Sequence, residues 1–469
     1  MSAAVSQADA GLPVPAPESL LSPRYLALTL GIVSSVLLTA FEMLAVYAAL
    51  PVAVDAVHGT AALPFCFSAF TTAGLVGMVV SGVRSDTAGP ALPFLGGTTV
   101  FGIGLLVAGT AGTMAQLVAG RAIQGFGSGL VLVALYVIVG RAYPERLRAA
   151  AFAMMASLWV LPSVVGPVVA GILTERASWR WVFLGAALLV PLPVALMAGP
   201  VRRLTGSVAG PRDREVGARR LVWFAVLAAA GAGLVQYAGQ RLDPLGLVVA
   251  VAGVMLLIPS VPKLLPKGTL RIARGLPAVI VLHGLIGGAY FGAESYVTAM
   301  LEDERGLSPT VAGLTMVGVT FSWTVMSQAT AREWLPWSRA GMMRVGPFVV
   351  VTAIAVVASA VLLPEPAAVV TAGFLVGGFG MGMVFPTLNL LLLHYSPPES
   401  QGSSSSAMQI CDSLGAIALT GGSGMVFHAL HHAGRGNQGL YLLVFAMMAV
   451  AAVATAVIAP RVGAQVLSA

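Results

Sequence analysis

Residues 125–131 read GFGSGLV, and residues 378–384 read GFGMGMV, an offset of 253. At an offset of 252, Glu42 in TAFEMLAVYAALP (39–51) meets Glu294 in GAESYV (292–297), and Ala88-Gly89 meets Ala340-Gly341. Each match alone is weak in a chain with 55 glycines. Three matches at nearly one offset are not, and they point to two parallel copies of one unit.

The solvent of those units follows from composition. Of 469 residues, 58% are hydrophobic and only 9% charged, against about 25% charged in soluble domains. Such a chain cannot cover a water-facing surface, so lipid is its expected surroundings. A membrane helix needs about 20 apolar residues. Runs of that kind lie near 25–53, 62–83, 91–111, 114–140, 149–173 and 180–200, then 221–240 and 244–262. Six more lie near 276–301, 309–331, 341–363, 366–393, 403–428 and 438–459. The spacing predicts fourteen spans arranged as six, two and six. Each repeat match then falls in the corresponding span or loop of the two six-span units. The expected organisation is a disordered cytoplasmic tail over 1–24, a first six-helix bundle over 25–200, a linker with two extra helices over 201–275, a second bundle over 276–460 and a short cytoplasmic tail over 461–469. The two extra spans fall outside the repeat and are expected at the periphery.

Orientation follows from Lys and Arg, whose excess stays on the cytoplasmic side. With the N-terminus inside, nineteen of the 25 basic residues fall in inner segments and five in outer ones. Both termini are therefore expected in the cytoplasm. The net charge of +7 sits in short segments between apolar runs, which excludes a phosphate-binding face and a nucleic-acid partner. The Pro/Ala-rich start lacks a basic region before an apolar core and does not read as a cleaved signal. Cys66 and Cys411 lie in apolar runs, so no structural disulfide is expected.

Against this background four charged groups stand out within spans: Glu42, Arg121, Glu294 and Asp412. Each costs about 2.5–3.5 kcal/mol at a helix centre on insertion scales. The bland reading makes each a satisfied structural ion; the functional reading makes them proton and substrate groups. Glu42 lies late in an outward-running span and Arg121 early in an inward-running one, so both reach similar depth and are expected to pair. His283 precedes Glu294 by eleven residues, about 16 Å along one helix face. It reads as a core histidine with a relay role as the sharper alternative. His428, His431 and His432 have no acidic or Cys companions and read as a solvated loop rather than a metal site. Phe41, Tyr47, Tyr290, Phe291, Tyr296 and Trp323 are candidates for an adaptable apolar pocket, with His283 beside them. The glycines of GFGSG and GFGMG let helices approach closely, and Gly166-Pro167 is expected to bend its span.

These motifs, in this order, resemble the major facilitator superfamily and in particular its fourteen-span drug:proton antiporter branch, over roughly residues 25–460. GVRSDTAG (82–89) is similar to the family's loop signature through Gly82, Asp86 and Gly89, although Thr87 and Pro90 stand where basic residues are usual. RAIQGFGSG (121–129) matches the span-4 signature through Arg121, Gln124, Gly125 and Gly127. GPVVAG (166–171) resembles the antiporter signature through Gly166, Pro167 and Gly171, with Ala170 and Pro162 replacing glycines. SWRWVF (178–183) looks like the outer end of the sixth span, and Glu42 stands where the branch usually has an Asp.

The resemblance implies an all-α major facilitator fold and a proton-coupled exporter of amphipathic or hydrophobic small molecules in a bacterial cytoplasmic membrane. A substrate, protons and lipid would be its partners, a proton gradient its energy source, and a monomer its expected state. Glu42, Glu294, Asp412 and Arg121 would carry proton and substrate coupling. Asp86 is expected beside GSSSS (402–406) at the start of the thirteenth span, because a helix N-terminus offers unpaired N–H groups to a carboxylate. The alternatives are a dedicated exporter of one endogenous metabolite (an antibiotic, siderophore or lipid) and a non-transporting receptor. No Gly-rich phosphate loop, HExxH or paired-Asp metal motif occurs, so neither an enzyme, a cofactor nor a resident metal is expected.

Overall fold

The computed structural model describes residues 19–59, 63–204, 213–239, 244–332, 334–363, 367–430 and 437–462. All regular structure among them is helical. In lipid a helix satisfies its own backbone groups, so apolar runs of this length have few alternatives. The first unit contains α1 (Leu26–Ala56), α2 (Leu63–Ala88), α3 (Ala91–Gly109), α4 (Met114–Ala142), α5 (Glu145–Ser157), α6 (Val160–Arg176), α7 (Arg180–Leu189) and α8 (Pro191–Arg202). The insert is α9 (Asp213–Ala238) and α10 (Pro244–Leu264). The second unit contains α11 (Leu276–Asp303), α12 (Pro309–Ala331), α13 (Arg339–Leu362), α14 (Ala367–Tyr395), α15 (Gln401–Ala416), α16 (Gly422–Leu430) and α17 (Gln438–Ile458).

Thirteen helical segments among the described residues are long and apolar enough to cross a membrane, with α5–α6, α7–α8 and α15–α16 each forming one continuous segment. The 23-residue helix α12 lies between two of them. The chain is thus a multi-pass membrane protein. The N-terminal tail to residue 18 and the C-terminal residues from 463 lie outside the described residues, as do His431 and His432 and the His428 side chain.

The break between α5 and α6 lies beside a proline. α5 ends and α6 begins around Leu158 and Trp159. Pro162 cannot donate the N–H that would bond the Leu158 carbonyl, and its ring crowds that carbonyl. The interruption lies upstream of Gly166-Pro167, the pair at which the sequence suggests a bend; Pro167 is carried inside α6. α15 meets α16 through a π-helical turn, Ile417–Gly421.

The repeat is written into the helix contacts. α4 lies along both α2 and α3, and α14 lies along both α12 and α13. A Cβ at Gly127 would meet Gly97 O at 2.7 Å, and one at Gly380 would meet Gly346 O at 2.9 Å. Gly125 presses on Phe70 O as Gly378 presses on Val319 O. GFGSG and GFGMG thus wedge the fourth helix of each unit between its second and third. α1 pairs with α6 as α11 pairs with α15.

The two units meet through α2 and α4 against α15, and through α5 and α6 against α12. These contacts include the end of the bundle where α1 starts and where arginines gather, called the basic end below. α9 packs on α2, and Ala225, Ala229 and Ala232 of α9 share an apolar cluster with Leu75 and Val79 of α2 and Ile410 of α15. α10 packs on α9 and exposes Leu247, Val248, Met255 and Ile258. The insert covers the outside of the seam.

Candidate functional site

Glu42 is completely buried. It is bound by Arg121 Nη1 across the helix pair α1–α4, and Gln124 Nε2 donates to the same carboxylate oxygen at 3.0 Å. Arg121 Nη1 also donates to Gln124 Oε1 at 3.0 Å, which closes a three-membered ring of contacts. Arg121 and Gln124, three residues apart, share one face of α4. Phe70 of α2 covers the guanidinium, with Cζ 4.4 Å from the ring centroid. The cation is therefore held by a carboxylate, an amide and an aromatic face, all away from bulk water. Glu42 Oε2 and Arg121 Nε have no protein hydrogen bond, so the pair keeps polar valence to spare.

The second unit presents a different surface. Tyr290 stacks on Phe374 with centroids 5.0 Å apart, and Phe291 stacks on Trp323 at 5.9 Å. Trp323 meets Phe385 edge-on at 5.1 Å. Five aromatic rings from α11, α12 and α14 thus form one wall, and Phe291 on it is 36% exposed. Glu294 stands one turn from Tyr290 on α11, half-buried; it does not meet Glu42. His283 is brought to Asp412 rather than to Glu294: Nδ1 lies 3.3 Å from Asp412 Oδ1. Tyr296 packs instead on Phe427 of α16, and Phe41 borders the core of the first unit. The Tyr47 side chain lies outside the described residues.

At the basic end Asp86 reaches across the seam. Its two carboxylate oxygens accept from Gly402 N at 2.6 Å and Ser403 N at 2.8 Å, the first free N–H groups of α15. Arg141 of α4 stands 3.8 Å away and donates to Pro398 O at 2.7 Å. The contact needs two small residues: a Cβ at Gly82 would stand 2.7 Å from Gly402 O, and one at Gly402 would stand 2.7 Å from Asp86 Oδ1. Gly89 turns the chain into α3 at φ +84°, a conformation that favours glycine. Farther along the seam Gln328 of α12 donates to Ser157 Oγ of α5 at 2.9 Å.

Gly166 faces Ala45 and Leu44 of α1, with room for a Cβ at 3.5 Å, while Gly171 faces open space. Phe70, Phe385 and Arg141 were not singled out by the sequence. Phe70 and Phe385 look like any other apolar residue of a span. Arg141 lies in the last turn of α4, and its partner is 257 residues away from it. A cleft of about 360 Å³ opens between α2, α9 and the α15–α16 junction, bordered by Phe67, Gln236, Ile417 and Gly424. Among the described residues no group of His, Cys, Asp or Glu gathers as metal ligands, and Cys66 and Cys411 are free thiols.

Comparison with known proteins agrees with this architecture. A protein of Mycobacterium tuberculosis named a probable multidrug-efflux transporter is 24% identical over 86% of this chain and 88% of its own length. The multidrug transporter protein MdtP of Bacillus subtilis is 24% identical over 84% of this chain and 73% of its own. The crystal structure of the human organic anion transporter MFSD10 superposes with a TM-score of 0.67, covering 92% of this chain and 99% of that one at 14% identity, a likeness of fold alone. The family model for the Major Facilitator Superfamily matches residues 32–420, and the chain belongs to that superfamily as a membrane transporter, not an enzyme.

Proposed function

We propose that the chain is a proton-coupled exporter of amphipathic or hydrophobic small molecules, of the fourteen-span drug:proton antiporter kind, with α12 as the tenth span. The carrying observation is the fully buried Glu42 held by Arg121 and Gln124. A carboxylate in such a place exchanges its ion pair for a proton when substrate or water changes the balance between desolvation and the cation. The aromatic wall of the second unit supplies an adaptable apolar face, and Glu294 and Asp412 supply carboxylates beside it. The multidrug-efflux names of the relatives support the same substrate class.

In this reading the basic end faces the cytoplasm of a bacterial cell, both termini lie there, and the chain works as a monomer. The Asp86 contact then closes the cytoplasmic side, and protons enter from the opposite side. The test is transport in inverted vesicles, with and without an imposed proton gradient, across a panel of lipophilic cations and neutral compounds. Uptake that requires the gradient and spans several chemical types is expected. Uptake indifferent to the gradient overturns proton coupling, and uptake of a single compound points to a dedicated exporter.

A further inference from the structure

Apart from the ring of contacts at Glu42, the second unit brings two titratable groups together, His283 and Asp412. His283 of α11 is 1% exposed, while Asp412 of α15 is 27% exposed, so the pair is dry on one side and open on the other. Neither ring nitrogen of His283, nor Asp412 Oδ1, has a well-aligned protein hydrogen bond. The imidazole lies against Phe385 with centroids 4.3 Å apart. Their nearness is fixed by helix register: the Cβ missing from Gly287 would occupy the space of Asp412 Oδ1, and Gly284 and Gly288 bring α11 against Cys411 and Gly415 of α15.

The pair also touches the boundary between the units. Tyr136 of α4, from the first unit, is set beside Gln409, Asn389 and Asp412 of the second. Asp412 lies ten residues beyond Gly402, about 15 Å along the helix from the point where Asp86 closes the seam. Any separation of α4 from α15 at the basic end therefore uncovers this polar layer. The other titratable groups nearby are few. α15 itself brings Cys411, next to Gly284, and α4 brings Tyr136. α14 offers Phe385 and Asn389, and α12 offers Trp323. Asp86 of α2 is engaged at the start of α15. Tyr441 of α17 is bonded to Asp303 at the far end of α11 at 2.5 Å. Arg344 of α13 is exposed, and Glu294 lies eleven residues farther along α11.

We propose that His283 and Asp412 together hold one exchangeable proton, taken up while the basic-end seam is shut and given to the cytoplasm when α4 and α15 part. The proposal rests on reading the chain as a proton-coupled exporter and adds to Glu42 a second proton station in the other unit. In the loaded state an imidazolium faces the carboxylate and the pair is neutral. Release from the imidazole to entering water leaves neutral His283 beside the carboxylate, with a net charge of −1. Reloading from the opposite side restores neutrality, so one proton crosses per turn through this pair. The proton is held between His283 Nδ1 and Asp412 Oδ1, 3.3 Å apart.

The experiment uses the full-length chain in inverted vesicles with ethidium as the probe. It measures gradient-driven accumulation from pH 5.5 to 8.5 and ethidium exchange without a gradient. His283→Gln is expected to retain exchange within about twofold, to lose at least tenfold of gradient-driven accumulation, and to flatten the pH profile. Asp412→Asn is expected to lose gradient-driven accumulation to the same extent and to flatten the pH profile, and the double variant to lose no more accumulation than either, because the two groups share one proton. His283→Gln with the wild-type pH profile and accumulation would overturn the proposal. So would equal loss of exchange and accumulation in both single variants, the mark of a merely structural pair. Wild-type exchange with no gradient-driven accumulation would sink the exporter reading and this station with it, and is distinct from a defect seen only in the variants.

Discussion

Glu42 and Arg121 neutralise each other where neither can be well solvated, and the energetics of such a pair are asymmetric. Removing one partner leaves an uncompensated charge, which typically costs about 3–5 kcal/mol, whereas replacing both by neutral groups of similar shape is often close to neutral. Arg121→Met should therefore destabilise the protein by about that amount. Glu42→Gln should cost less, because Arg121 keeps its bond to Gln124 and its place over Phe70. The double variant Glu42→Gln, Arg121→Met should recover most of the stability lost in Arg121→Met and remain unable to drive transport by a proton gradient. Thermal unfolding in detergent and vesicle transport check the two halves of this expectation; recovery of transport in the double variant would make the pair a structural ion bridge. This pair was legible in the sequence because depth along a span can be counted from its ends, and both residues came out at one level. The partner of His283 was not, because it depends on the register of α11 against α15, set by glycines at 284, 287 and 288 that the chain shares with many other helix contacts.

Glycine means different things on different helices, and the structure separates them. Gly125 of α4 presses on the backbone of Phe70, whereas Gly166 of α6 has room for a methyl group against α1. Gly125→Ala should cost about 1–3 kcal/mol, as overpacking does, and should loosen α2 from α4 together with the Phe70 cover of Arg121. Gly166→Ala should leave the unfolding temperature nearly unchanged. A transport defect in Gly166→Ala at normal stability would then locate its role in movement of α6 past α1; a large stability loss would show that the α1–α6 contact does not admit a methyl group. The apolar runs made the all-helical, many-span character readable, and the GFGSG repeat made the shared wedge of α4 and α14 readable. The sequence suggested a bend at Gly166-Pro167; the interruption of the fifth span around Leu158 and Trp159, just before Pro162, was not anticipated. Several prolines in one helix compete, and neighbouring helices decide which of them yields.

The whole molecule is two similar bundles, and the polar contacts that join them across the seam bear directly on its conformational balance. Asp86 accepts two backbone N–H bonds from the start of α15 and has Arg141 nearby, joining the first bundle to the second. Hydrogen bonds to a charged group contribute about 1.5–3 kcal/mol each. Asp86→Asn keeps one acceptor oxygen, turns an amide donor toward an N–H that needs an acceptor, and removes the charge facing Arg141. The loss falls on the closed arrangement alone, because within each bundle the helix contacts are unchanged. A loss of about 1.4 kcal/mol moves a two-state balance tenfold, so the basic end should open at least that much more often. Ser157 lies on the same seam, bonded to Gln328, and a cysteine placed there reports the opening. With Cys66 and Cys411 replaced, Ser157→Cys should react with a water-soluble maleimide about tenfold faster in the Asp86→Asn background, at unchanged thermal stability. An unchanged rate would mean that the contacts of α5 and α6 with α12 hold the seam without Asp86, and that the carboxylate only caps α15.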